Sequence, residues 1–106
     1  MTVVFCTTRF EGFHRWPDAP PEVAFLAVRH RHVFHVRVEV AVAHNDRDVE
    51  FIMLKRAVDQ WVEARRLTDA VANWSCERWA DELLQAFNAE RVEVSEDGEN
   101  GAIVTR

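Results

Sequence analysis

The stretch RHRHVFHVRVEVAVAH, residues Arg29 to His44, alternates in character through most of its length, the period-2 pattern of a strand buried on one side. Successive side chains of a strand point to opposite faces. His30, His32, Phe34, Val36, Val38, Val40 and Val42 therefore share one face, and Arg29, Arg31, His35, Arg37 and Glu39 share the other. A sheet with one apolar face needs a covering layer. Upstream, VVFCTTRFEGFH reads as a second extended segment ending at His14, and between the two lies WPDAPPE, where Pro17, Pro20 and Pro21 lack backbone donors and impose a loop or local turn. Downstream, HNDRD at 44–48 marks a turn, after which the period lengthens. Leu54, Val58, Trp61 and Val62 recur at helical spacing, which predicts a helix from about Ile52 to Arg66. Thr68 to Trp74 is a connection, and Ser75 is the N-cap of a second helix with the stripe Cys76, Trp79, Ala80, Leu83, Leu84 and Phe87. The closing RVEVSEDGENGAIVTR gives two short strands, with Asp97-Gly98 and Asn100-Gly101 as turn signals. The expected architecture is α+β in the order ββααββ, an antiparallel sheet with both helices on one face.

A chain of 106 residues with 48% hydrophobic content has enough apolar material for one core, so residues 1–106 are read as a single domain. The formal net charge of -5 comes from acidic residues scattered among basic ones. No basic stripe marks a nucleic-acid footprint, and nucleic acid is not an expected partner. No apolar run approaches the roughly 20 residues that cross a bilayer. MTVVFCTTRF lacks the charged start, apolar segment and cleavage site of a signal peptide, so a soluble cytoplasmic protein without membrane contact is expected. Cys6 and Cys76 form no CxxC pair and read as small buried hydrophobes rather than a disulfide or a zinc knuckle. Two long strands with open edges in so small a chain carry the further expectation of a homo-oligomer joined edge to edge.

Chemistry concentrates in three of the five histidines. His30 and His32, two apart on one strand, project their rings from one face, and His14 ends the neighbouring strand. Three imidazoles so placed reach one ion with nitrogens at about 2.0–2.1 Å and leave a fourth position open, the arrangement of a catalytic rather than a structural zinc. A strand HxH is also compatible with histidines satisfied by the sheet alone. Against that stands the cost of two unpartnered imidazoles on a face that otherwise carries Phe34 and valines. His35 on the opposite face and His44 in the turn read as exposed polar residues.

These residues resemble the 6-pyruvoyl-tetrahydropterin synthase and 6-carboxytetrahydropterin synthase (QueD) family. FEGFHR at 10–15 looks like F-x-A-A-H-R, and HRHVFHVRVEV at 30–40 looks like H-G-H-N-Y-x-V-x-V-x-V. VEFIMLK at 49–55 is similar to V-x-D-F-x-x-L-K, SCERWADEL at 75–83 to T-x-E-N-x-x-x-x-[IL], and VEVSED at 92–97 to V-x-V-x-E-T. The motifs keep their order across nearly the whole chain. The resemblance implies the tunnelling fold (T-fold), zinc on His14, His30 and His32, and Glu96 as the carboxylate that accepts two adjacent N–H groups of a pterin or purine-like ring. It also exposes departures. The family's cysteine position looks like Leu26, and its Asp-His pair corresponds to Thr68 and Asp69. Glycine between the two strand histidines is replaced by Arg31, and the loop from His14 to His30 is short.

The resemblance thus implies a zinc-dependent carbon–oxygen or carbon–carbon lyase of pterin or deazapurine metabolism, with altered proton transfer. Asp18, Glu22 and Asp69 are the carboxylates available as bases. Glu22 is the first choice, because some divergent members of the family carry glutamate where the cysteine stood. Loss of the cysteine and of the Asp-His pair supports the alternative, a catalytically inactive zinc-containing ligand-binding or scaffold protein.

Overall fold

Strands β1 (Thr2–His14) and β2 (His30–Val42) pair antiparallel along their whole lengths, Thr2 opposite Val42 and His14 opposite His30, in the computed structural model, which describes residues 1–106. The even-numbered face of β2 is the buried one: Phe34, Val36, Val38 and Val40 are enclosed, as the alternation requires. Strand β3 (Arg91–Glu96) joins the free edge of β2, but only from Phe34 to Glu39, and β4 (Asn100–Thr105) adds beyond it. His30 and His32 therefore project from a two-stranded ribbon past the end of β3. The ribbon lengthens the molecule to 50 × 24 × 20 Å with a radius of gyration of 14.7 Å, above the roughly 13 Å of an even globule of this size.

The α+β class and the element order stand, and the tunnelling-fold expectation is corrected. The sheet runs β1-β2-β3-β4, a strand order that differs from that expectation. β1 occupies one edge of β2 completely, the returning chain pairs with the other edge, and a tight turn lays β4 alongside. Asp97 (φ 57°) and Gly98 (φ 74°) make that turn. Asn100 and Gly101, predicted as turn residues, instead open β4. Gly101 approaches the Val94 carbonyl so closely that a Cβ would lie 2.1 Å from its oxygen, so the pairing tolerates no side chain there.

Helix α1 (Phe51–Glu63) starts one residue before the predicted point and ends three before it. Its start is set by Glu50, whose carboxylate accepts from the amides of Ile52 and Met53, a cap hidden from a search for Ser, Thr, Asp or Asn. Helix α2 (Cys76–Ala86) is capped as predicted, with Ser75 Oγ accepting from Arg78 N at 3.1 Å. Two short 3-10 segments fill the connections, Pro21–Ala27, kinked at Val23, and Asp69–Val71. The two helices bury Leu54, Val58 and Val62, and Trp79, Ala80 and Leu83, in one core with the sheet. At its centre Phe10, Phe34 and Trp79 pack with ring centroids 5.1 Å (Phe10–Phe34) and 5.0 Å (Phe10–Trp79) apart. No helix is long and apolar enough to cross a membrane.

Phe34 lies directly beneath the histidine end of the sheet and is 1% exposed. Phe34→Ala is expected to destabilise the domain by about 3–5 kcal/mol in urea unfolding, a large share of the roughly 5–15 kcal/mol typical of a domain. Arg31→Ala, which removes an exposed ion pair to Glu11, should cost about 0–1 kcal/mol. Equal losses would contradict the placement of the core.

Candidate metal centre

The last rung of the β1–β2 ribbon sets His14 opposite His30, and His32 stands two residues further along the same face. Gly12, paired with His32, leaves the space that the Phe34 ring fills: a Cβ there would lie 2.8 Å from that ring. The three imidazoles meet edge to face, with centroids 4.6 Å (His14–His30), 5.2 Å (His14–His32) and 4.9 Å (His30–His32) apart. One ligand nitrogen from each lies within 4.8 Å of the others, and the cluster is able to hold a metal ion.

Every Nδ1 in the cluster faces an oxygen. His14 Nδ1 is 2.8 Å from the Trp74 carbonyl, His30 Nδ1 is 2.7 Å from the Val28 carbonyl, and His32 Nδ1 is 2.7 Å from Asp97 Oδ2. Carbonyl and carboxylate oxygens only accept, so each Nδ1 carries the hydrogen and donates. The tautomer that follows has its lone pair on Nε2. Two of these, His30 Nε2 and His32 Nε2, are buried without a hydrogen-bond partner. Orphaned buried nitrogens are costly, and a cation accepting their lone pairs removes the cost. An outer hydrogen bond on each ligating histidine is the usual support of such a site.

Two of the three acceptors are carbonyls of irregular backbone. Arg15 N donates to Ala72 O at 3.0 Å and Trp16 N to Leu26 O at 2.8 Å, tying the chain after β1 to the segment before α2 and to the 3-10 segment Pro21–Ala27. That tie brings the Trp74 carbonyl over His14. Asp97 closes the far side. Its amide donates to Val33 O at 2.7 Å, its Oδ1 accepts from Val33 N at 2.9 Å, and its Oδ2 takes His32. The hydrogen bond from His32, helped by the one from Val33 N, holds the Asp97 carboxyl below its ordinary range, so it accepts as the anion.

Glu96, the last residue of β3 and the partner of Phe34 in register, turns its carboxylate onto the cluster. Oε1 is 3.4 Å from His14 Nε2, and Oε2 is 3.2 Å from His32 Nε2. Cys76, the first residue of α2, directs its thiol to Glu96 Oε1 at 3.9 Å. Burial, reinforced by Glu96 and Glu77, pushes that thiol up to about 12, so it is a protonated donor at neutral pH, not a nucleophile. Beside the cluster opens a cleft of about 600 Å³ whose walls include His14, His30, Trp16, Leu26, Trp74, Cys76 and Glu96.

His14, His30, His32 and Glu96 are thus brought together. Glu22, exposed on the 3-10 segment Pro21–Ala27, and Asp69, exposed at the start of the segment Asp69–Val71, are not among the residues lining the cleft. Leu26, the residue that the resemblance sets against a cysteine, does line it. Asp97 and Cys76 were read from the sequence only as a turn residue and a core residue. Asp97 directly follows Glu96 at a strand end, the one local hint of its role, while the Trp74 and Val28 carbonyls have no side-chain signature. Comparison of the whole chain with protein-family models finds no match, and no curated protein matches it significantly.

Asp97→Asn keeps the side-chain shape and removes the charge that orients His32. It is expected to weaken metal binding in a chelator competition by about 10- to 100-fold; unchanged affinity would remove Asp97 from the site. Burial also pulls the His14 pKa below its ordinary value near 6.5, against the opposing pull of the Trp74 carbonyl and Glu96. A depressed folded-state value means that the stability contributed by neutral His14 is complete above the unfolded value and is lost as pH falls below it. The metal-free protein should accordingly lose thermal stability as pH drops from 6.5 toward 5, and His14→Gln should flatten that loss.

Proposed function

We propose that this protein is a zinc-dependent enzyme similar to the 6-pyruvoyl- and 6-carboxytetrahydropterin synthases, acting on a pterin or related purine-like substrate held in the cleft beside the histidines. The observation that carries the metal reading is the convergence of three Nε2 lone pairs whose outer nitrogens all donate to oxygens. Imidazole ligands suit zinc well. A zinc ion held there supplies Lewis acidity toward a hydroxyl or carbonyl oxygen. Support for the ring comes from the ordered motif resemblance, and from a cleft of about 600 Å³, within the roughly 300–1,000 Å³ range of small-molecule sites. Trp16 and Trp74 offer aromatic surface in its walls, and Glu96 offers the carboxylate that the resemblance assigns to the ring.

Proton transfer is the part that departs from the resembling family. The cleft holds one thiol, Cys76, in its protonated form, and neither Glu22 nor Asp69 stands on its walls. This favours a second reading, a zinc-containing protein that binds a ring without turning it over. Both readings share the metal and the cleft and differ in turnover.

Trp16 and Trp74 make the cleft optically addressable. Titration of the metal-loaded protein with a neopterin-like or a guanine-like compound should quench tryptophan fluorescence saturably. Leu26→Trp, which crowds the cleft, should weaken that binding at least about tenfold, or about 1.4 kcal/mol. Saturable quenching with product formation supports the enzyme, and saturable quenching alone supports the binding protein. Absence of quenching by either compound would sink both.

A further inference from the structure

Glu96 turns both carboxylate oxygens onto imidazole nitrogens of the cluster, with the Cys76 thiol as its hydrogen-bond donor. Its two oxygens lie 3.4 Å from His14 Nε2 and 3.2 Å from His32 Nε2. Those nitrogens belong to rings whose Nδ1 atoms donate to the Trp74 carbonyl and to Asp97, so in the neutral tautomers they present lone pairs. A lone pair facing an anionic oxygen at this distance is repulsive, and His32 Nε2 has no hydrogen-bond partner despite the proximity.

The separations themselves carry information. Around a tetrahedral zinc with bonds of about 2.0–2.1 Å, neighbouring ligand atoms stand about 3.3–3.4 Å apart. The carboxylate spans two corners of the cluster near that separation, Oε1 at 3.4 Å from His14 Nε2 and Oε2 at 3.2 Å from His32 Nε2, while the imidazole nitrogens themselves lie within 4.8 Å of one another. The backbone supports the same placement: Glu96 is the last residue of β3, opposite Phe34, and Asp97 immediately after it is bound to both backbone polar groups of Val33 and to His32. One clamp therefore sets both the His32 ring and the direction in which Glu96 leaves the strand.

We infer that Glu96 is the fourth metal ligand of the substrate-free protein, completing a site of three imidazole nitrogens and one carboxylate. The inference rests on the metal reading of the histidines and not on the pterin reading. It moves the Glu96 carboxylate from the ring, where the resemblance assigns it, to the ion while the cleft holds no ring. Cys76 then has a defined part as the donor to Glu96 Oε1, an outer support for a ligating carboxylate.

The test compares wild type with Glu96→Ala, Glu96→Gln and Glu77→Gln, the last a carboxylate of the same cleft wall. Zinc affinity is read by chelator competition, the ligand field by the visible absorption of the cobalt(II)-substituted protein, and folding by circular dichroism. Both Glu96 variants are expected to fold and to lose zinc affinity by more than the roughly 10- to 100-fold that an outer hydrogen-bond partner contributes. Their cobalt spectra should shift in position and intensity, and Glu77→Gln should match wild type in both readouts. If wild type binds zinc and the Glu96 variants bind it equally well with unshifted cobalt spectra, this inference is overturned while the three-histidine site stands. A wild type that binds neither ion overturns the metal reading and this inference together.

Discussion

In an antiparallel ribbon a slip of one residue exchanges the two faces, sending every buried side chain into water. The β1–β2 pairing is locked against such a slip by Phe34, Val36, Val38 and Val40 on one side and by the charged face of Arg31, Arg37 and Glu39 on the other. That lock sets the apolar face against α1 and α2, and at its far end it sets His14 beside His30 and His32. The same register that buries valines at one end collects imidazoles at the other, with the Phe34 ring between core and site.

Past the end of β3 the sheet is only two strands wide, and the site is built where regular pairing stops. The Val28 carbonyl before β2, the Trp74 carbonyl before α2 and the Asp97 side chain after β3 each take one Nδ1–H. Three unrelated segments thereby fix one tautomer in all three rings. Three imidazole nitrogens and an inward-turned carboxylate make a donor set suited to a divalent cation. The buried Cys76 thiol stays protonated beside it, as desolvation and two nearby carboxylates dictate.

A functional reading of this chain divides along the same line. The metal half is dense with mutually supporting contacts, from the register to the outer hydrogen bonds. The carboxylates proposed for proton transfer are not gathered in the same way: Leu26 stands on the cleft wall, and Glu22 and Asp69 lie elsewhere. On the proposed function, either another group carries the proton or the pocket binds its ring without turning it over, and turnover distinguishes the two.

The sequence alone determined what depends on near neighbours. Period-2 alternation in Arg29–His44 identified the buried face and put His30 and His32 on it. Helical spacing located α1 and α2, and Ser75 marked the start of α2. Such patterns are legible because side-chain direction follows from local backbone geometry. The Glu50 cap, the start of β4 at Asn100 and the order β1-β2-β3-β4 were settled by the tertiary structure. So was the site's finish: which oxygens hold the imidazoles, where Glu96 points, and which thiol meets it. Backbone carbonyls are common to every residue, and the separation in sequence between His14 and Trp74, or between His32 and Asp97, carries no periodic signal. Only the packing of loops against the end of the ribbon decides those contacts.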